Sequence, residues 1–255
     1  MAGMVTRRPG APVRRLSVDP GQAVTTEWPY TVPAIAHLLA HGLALDPGIT
    51  VVIGPNGAGK STLLEAVAAV WARRVTMIRS DWLQQSMGRP AGEDSPLHRA
   101  LRLEYTKGGP IGGLFLRAER LHAQADGFLV GRWSERIADP VLQRSHGEGF
   151  LSILAGMVAE PGFYILDEPE SALSFDSSLT LLALMADMRA AGSQILLATH
   201  SPILAAMPDA RLLQLDESGI AEVAYDETDL VQSWRAFLAQ PAAYLRYLIE
   251  PTDRD

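Results

Sequence analysis

Eight consecutive residues, Gly54-Pro-Asn-Gly-Ala-Gly-Lys-Ser61, constrain this chain more than any other stretch. Before them runs Ile49-Thr-Val-Val-Ile53, a short β-branched segment that reads as a buried strand. After them, Ser61 to Ala72 combines strong helix formers with an apolar stripe and predicts a helix. A glycine-rich turn from strand to helix lets backbone N–H groups converge on an anion at the positive end of the helix. The run fits the pattern G-x-x-x-x-G-K-[ST] in full. It assigns Gly54, Pro55, Asn56, Gly57, Ala58 and Gly59 to wrapping the phosphates of a nucleotide, with Lys60 neutralising the β- and γ-phosphates. The Ser61 hydroxyl is then the expected Mg²⁺ ligand, with Thr62 next to it in the binding set. The competing reading is a glycine-rich turn with an incidental lysine. Lysine is scarce here, however, occurring only at Lys60 and Lys107 amid abundant arginine.

A second apolar run, Phe163-Tyr-Ile-Leu166, ends in Asp167 and Glu168. A buried strand that ends in carboxylates places them at the strand's carboxyl end, where α/β sheets hold ligands. Asp167 is the expected second member of the Mg²⁺ shell. Glu168 is the expected catalytic residue that orients and helps deprotonate an attacking water. A solvated turn with acidic residues is the alternative for this segment taken alone.

The rest of the chain fits one α/β domain. Its 255 residues suffice to bury a core. Gln194-Ile-Leu-Leu-Ala198 is another uninterrupted apolar strand, and Leu179 to Arg189 lies before it as a helix. With Phe163–Leu166 this makes a βαβ unit in a parallel sheet covered on both faces. Gly113–Leu116 reads as a strand; Val32–Leu45, Trp133–Gln143 and Gly149–Ala159 read as helical. Leu212–Leu215 and Ile220–Ala224 read as a hairpin, and Asp229–Leu238 and Pro241–Ile249 as closing helices. Residues 80–112 are polar and Gly/Pro-dotted, and no element is assigned to them.

Composition sets the outer limits. The absence of cysteine excludes disulfides, thiolate zinc sites and a cysteine nucleophile, and fits a cytoplasmic location. No apolar run reaches membrane-span length, so no direct membrane insertion is expected. Residues 1–20 hold Arg7, Arg8, Arg14 and Arg15 against Asp19, while the net charge of the whole is −7. Residues 1–24 therefore read as a flexible basic tail before a domain over 25–255. An acidic body leaves nucleic acid an unsupported partner.

Three further segments resemble the ABC (ATP-binding cassette) ATPase superfamily. Leu166-Asp-Glu-Pro-Glu-Ser-Ala-Leu-Ser174 resembles its Walker B and D-loop, following a Walker A at Gly54–Ser61. Ala198-Thr-His200-Ser resembles its switch, in which His200 reaches the γ-phosphate as a second catalytic residue. Ser145-His-Gly147-Glu148-Gly resembles a divergent signature, with Glu148 lying 19 residues before Asp167. With Leu114-Phe-Leu-Arg-Ala-Glu119, these pieces are most similar to the small, stand-alone soluble bacterial ATPases of the superfamily. The resemblance implies a P-loop NTPase of ABC type: a mostly parallel sheet flanked by helices, a small helical signature subdomain over about 80–150, and an antiparallel β portion. It also implies ATP and Mg²⁺ as ligands, and an ATP-dependent homodimer in which Ser145, Gly147 and Glu148 clasp the γ-phosphate of the opposite subunit.

Several departures from the pattern bear on function. Leu-Ser-Gly-Gly is replaced by Arg144-Ser-His-Gly, and the D-loop ends in Ser174 where transporter subunits carry Asp. No Q-loop glutamine follows Leu116; Arg117 or Glu119 stands near that place, and Gln84 and Gln85 come too early. Tyr30, 24 residues before Gly54, is the candidate for stacking on adenine. Packing of Trp28 and Tyr30 at the domain edge is the other reading. Only 84 residues lie between Lys60 and Ser145, too few for a long coiled coil. Three uses of ATP stay open: a stand-alone ATPase acting on an unknown protein partner in defence or nucleic-acid maintenance, the ATP-binding subunit of a transporter, or a nucleotide-gated module with little turnover.

Overall fold

The structure is a computed structural model, and it describes residues 11–19, 26–78, 96–110, 112–117 and 146–249. The Trp133–Gln143 helix, Ser145, Glu119, Gln84, Gln85 and most of the 80–150 subdomain lie outside these residues.

In chain order the elements are β1 (Val13–Val18), α1 (Pro33–His41), β2 (Leu43–Ala44), β3 (Ile49–Ile53), α2 (Lys60–Ile78), α3 (Leu97–Ala100), β4 (Leu101–Tyr105) and β5 (Gly112–Arg117). Then follow α4 (His146–Met157), β6 (Gly162–Asp167), a 3₁₀ turn (Pro169–Ala172), α5 (Phe175–Ala190), β7 (Gln194–Ala198), α6 (Pro202–Ala205), β8 (Arg211–Asp216), β9 (Gly219–Glu222), a second 3₁₀ turn (Tyr225–Glu227), α7 (Asp229–Ala239) and α8 (Pro241–Ile249). The central sheet runs β5-β6-β7-β3-β8-β9, parallel throughout except that β9 returns antiparallel on β8.

Alternation along these strands divides the core in two, because successive side chains point to opposite faces. Val52, Phe163, Ile165, Leu196, Ala198 and Leu213 pack on one face with α1, α2 and a small antiparallel sheet. Val51, Tyr164, Leu166, Ile195, Leu197 and Leu212 pack on the other with α4, α5 and α6. Burial on both faces is why these strands read as continuous apolar runs.

The reading of residues 1–24 as a tail needs correction. Val13–Val18 is a strand, paired antiparallel with β2 on one side and β4 on the other. Val13 and Leu16 are fully buried, while Arg14 points outward and Arg15 donates to the His41 carbonyl. The strand has no regular alternation to read: its register on β4 shifts between Val13 and Arg15, so the two buried residues stand three apart, and both pairing partners are distant in sequence. The segment is also tied to the central sheet. The buried side chain of Gln194 accepts from the Val13 N–H at 2.9 Å and donates to the Val13 carbonyl at 2.8 Å and the Asp46 carbonyl at 3.1 Å. The helix expected over Val32–Leu45 is shorter, ending at His41 with Gly42 at φ 67° before β2.

Candidate nucleotide site

The loop between β3 and α2 has the expected form. Gly54, Gly57 and Gly59 have φ of 152°, 82° and 95°, outside the range comfortable for other residues. Gly54 is also sterically required, since a Cβ there would lie 2.3 Å from the Leu215 carbonyl oxygen. Pro55, Asn56 and Gly57 are exposed; Ala58, Ser61 and Thr62 are half-buried. Lys60 is buried, and its ammonium donates to the carbonyls of Gly54 at 3.0 Å and Pro55 at 3.1 Å. Burial lowers the Lys60 pKa, opposed by the charges of Glu168, Asp167 and Glu170. A phosphate arriving here would favour the charged form of a lysine that the protein alone desolvates.

Parallel pairing brings the other residues to this end of the sheet. Asp167 closes β6, and its Oδ1 accepts from the Ser61 hydroxyl at 3.1 Å. The two residues expected to share the metal thus converge through oxygen atoms, the donor type that Mg²⁺ takes. Among the described residues no cluster of three or more His, Cys, Asp or Glu forms a metal cage.

Glu168 stands in the left-handed region, φ 47° and ψ 53°, a conformation that costs a non-glycine residue about 1 kcal/mol. Backbone bonds hold it there: its N–H donates to the Ala198 carbonyl at 2.9 Å, and its carbonyl accepts from the Ser171 N–H and hydroxyl. This turn directs the side chain toward β7, where Glu168 Oε1 lies 3.4 Å from His200 Nε2. The same nitrogen lies 2.7 Å from Lys60 Nζ. Lys60, His200 and Glu168 therefore meet at one point above the loop. Beside it a cavity of about 380 Å³ is lined by Gly54, Pro55, Thr199, His200, Asp216 and Trp234, among others.

Two residues not assigned from sequence complete the arrangement. Glu170 Oε1 accepts from the His200 backbone N–H at 2.5 Å, while its Oε2 is buried and without a partner. Burial pushes the Glu170 carboxyl above its usual range, against the hydrogen bonds from His200 and Thr199. A raised carboxyl contributes stability that is full below the unfolded-state pKa and is lost as pH rises through the folded-state value. Glu170→Gln keeps an acceptor for His200 and removes the charge. Urea unfolding from about pH 4 to about pH 8 should therefore show a flatter decline than wild type, starting just above the ordinary glutamate range. An identical pH profile would refute this. The second residue, Arg117, was considered only as a stand-in for a loop glutamine. Its guanidinium instead contacts Asp167 Oδ2 through Nε at 2.7 Å and Nη2 at 2.5 Å.

Other expectations fare differently. Tyr30 is buried in the core, its hydroxyl donating to the Pro96 carbonyl at 3.3 Å, whereas Trp28, expected to pack with it at the domain edge, is exposed. His146, Gly147 and Glu148 begin α4, and Glu148 is exposed. No helix among the described residues is long and apolar enough to cross a membrane.

Known proteins resemble this chain. A family model described as "AAA domain" matches residues 39–72, and one described as "AAA domain, putative AbiEii toxin, Type IV TA system" matches residues 146–206. The cytochrome c biogenesis ATP-binding export protein CcmA of Paramagnetospirillum magneticum is 30% identical over 191 residues, covering 69% of this chain and 84% of that protein. The cobalt import ATP-binding protein CbiO of Rhodobacter capsulatus is 28% identical over 244 residues, covering 83% and 82% respectively. The solved structure of cbiO1 from Clostridium perfringens, part of the ABC transporter complex cbiONQ, aligns with a TM-score of 0.46 and 18% identity over 82% of this chain and 90% of that one. On the 30% identity to CcmA across 69% of this chain, with the loop and the carboxylate strand, the chain belongs to the ABC-type ATPases, which bind ATP with Mg²⁺ and hydrolyse it.

Proposed function

We propose that this ATPase is a nucleotide-driven switch: two copies close on ATP and separate after hydrolysis. The observation that carries the reading is the meeting of Lys60, His200 and Glu168 at one point, 2.7 and 3.4 Å apart in sequence of contact, beside the Ser61–Asp167 pair. In this reading the backbone N–H groups of residues 54–61 and the Lys60 ammonium bind the phosphates. Ser61 and Asp167 would hold Mg²⁺, which when bound screens the phosphate charge. Glu168 orients the attacking water and takes its proton, and His200 holds the terminal phosphate from the far side. Ser145, Gly147 and Glu148 would reach the nucleotide of the opposite copy, at the amino end of α4.

The test is solution mass with and without Mg·ATP for wild type and Glu168→Gln. The variant should shift to a dimer with ATP and remain one, and wild type should do so only until its ATP is consumed. A variant that binds ATP yet stays monomeric would sink the switch.

Two uses of the switch have support. The names of CcmA and CbiO, an export and an import ATP-binding protein, favour a transporter subunit that works with a separate membrane protein. The toxin-type model over residues 146–206, with the divergent Ser145–Gly149 segment, favours a stand-alone ATPase acting on another protein. Capture of the tagged protein from detergent-solubilised membranes against the aqueous fraction separates them: an integral membrane protein as the stoichiometric partner selects the first.

A further inference from the structure

We infer that Arg117 is a positioning residue for the metal-binding edge of this site, and that the metal affinity of the nucleotide-loaded protein depends on it. The inference rests on the nucleotide-site reading above.

Arg117 is the last residue of β5 and stands opposite Asp167 in the parallel register of β5 and β6. Its contacts divide the Asp167 carboxylate between two tasks. Oδ2 takes the guanidinium through Nε and Nη2, while Oδ1 faces the Ser61 hydroxyl. The third guanidinium nitrogen, Nη1, reaches Glu65 Oε1 at 2.5 Å. Glu65 follows Ser61 by four residues on α2, so the two share a helix face. The four side chains close a ring, Ser61–Asp167–Arg117–Glu65, that joins one helix to the ends of two strands.

That ring answers a problem posed by burial. The Asp167 side chain is 1% exposed, and an isolated carboxylate there would be strongly disfavoured. The terminal torsion of aspartate is broad, so a lone carboxylate could turn either oxygen toward the loop. Arg117 pins Oδ2 and thereby aims Oδ1 at the position it shares with Ser61. A guanidinium cannot ligate a cation itself; it acts through the carboxylate. Its positive charge lies between two carboxylates, which leaves the ring with a net negative charge suited to a divalent ion. Lysine would not replace it, because one ammonium lacks the fork that spans Asp167 and Glu65 together. Partners that orient metal-ligating carboxylates are worth about 10–100-fold in metal affinity.

The test compares wild type, Arg117→Gln, Arg117→Lys and Glu65→Gln. Binding of a non-hydrolysable ATP analogue in excess chelator is measured by competition with a fluorescent nucleotide. Mn²⁺ binding to the analogue-loaded protein is followed by the paramagnetic signal of free Mn²⁺. Metal-free analogue affinity should stay within about threefold of wild type in every variant. Mn²⁺ affinity should fall about 10–100-fold in Arg117→Gln, stay low in Arg117→Lys, and fall several-fold in Glu65→Gln. Unchanged Mn²⁺ affinity overturns the inference, as does an equal loss of metal and nucleotide binding. Full recovery in Arg117→Lys overturns it too, by showing that charge alone suffices. If Arg117→Gln does not fold, Arg117→Lys and Glu65→Gln still decide. Wild type that binds no Mn²⁺ with the analogue sinks the site reading itself, whereas a normal wild type with normal variants sinks only the role of Arg117.

Discussion

Glu168→Gln should lower steady-state ATP hydrolysis by about 10²–10⁴-fold, the contribution of a well-placed general base. ATP affinity should stay within a few-fold of wild type. The substitution preserves shape and removes only the charge that faces His200 across 3.4 Å. The left-handed backbone at φ 47° is held by bonds from Ser171 and to Ala198, none of which involves the side chain. The variant should therefore fold, and its defect should appear in kcat rather than in nucleotide binding. Single-turnover hydrolysis measured beside equilibrium binding separates the two. Retention of more than about a tenth of the wild-type rate would move the base elsewhere, and Glu170 would not replace it, since its Oε1 is committed to the His200 backbone.

The second large effect is structural. Gly113 sits in β5 at φ 148°, where a Cβ would lie 1.9 Å from the Phe163 carbonyl oxygen and 2.8 Å from its carbonyl carbon. No side-chain rotation relieves a clash with backbone. The two strands would have to separate at the pair that sets the register bringing Arg117 opposite Asp167. Gly113→Ala should destabilise the protein by about 3 kcal/mol or more, combining strain with broken strand pairing. At about 2–4 °C per kcal/mol for a domain of this size, the thermal midpoint should drop by about 6–12 °C. Gly108→Ala is the control. Its φ of 72° is also positive, but a Cβ there meets nothing within 4 Å, so only about 1 kcal/mol is at stake. Equal losses at both positions would show that close approach of β5 to β6 is not what Gly113 provides.

How much of this was legible in the sequence depends on how local the determinant is. The loop at Gly54–Ser61 was readable because its glycines, lysine and hydroxyl are contiguous and each type is chemically required. The carboxylates at Asp167 and Glu168 were readable because an apolar strand runs directly into them, and the helices after the loop and before β7 because their stripes and flanks are strong. The small antiparallel sheet was not. β1 shifts register between Val13 and Arg15 and shows no alternation, β2 is two residues long, and β4 lies in a polar, Gly/Pro-dotted stretch to which no element is assigned from sequence; their pairing is set by distant partners. At the site, Glu170 gave a faint signal as a third acid after an apolar strand, but nothing local says that it caps the backbone of His200. Arg117 was in view as a replacement for a missing glutamine. Its pairing with Asp167 follows from the β5–β6 register, which no single stretch of sequence carries.

The amide of Gln194 has a practical consequence. It serves Val13 and Asp46 in place of a neighbouring strand, at the foot of the strand that leads up to His200. Anyone trimming this protein to a tidier piece would be drawn by the arginines to cut near residue 25. That cut would strip a paired strand, lay bare the apolar surface that Val13 and Leu16 cover, and strand a buried amide beneath the nucleotide site. A cut before Ala11 leaves these contacts whole. Limited digestion should respect the same border, with trypsin sparing Arg14 and Arg15 for as long as the fold persists.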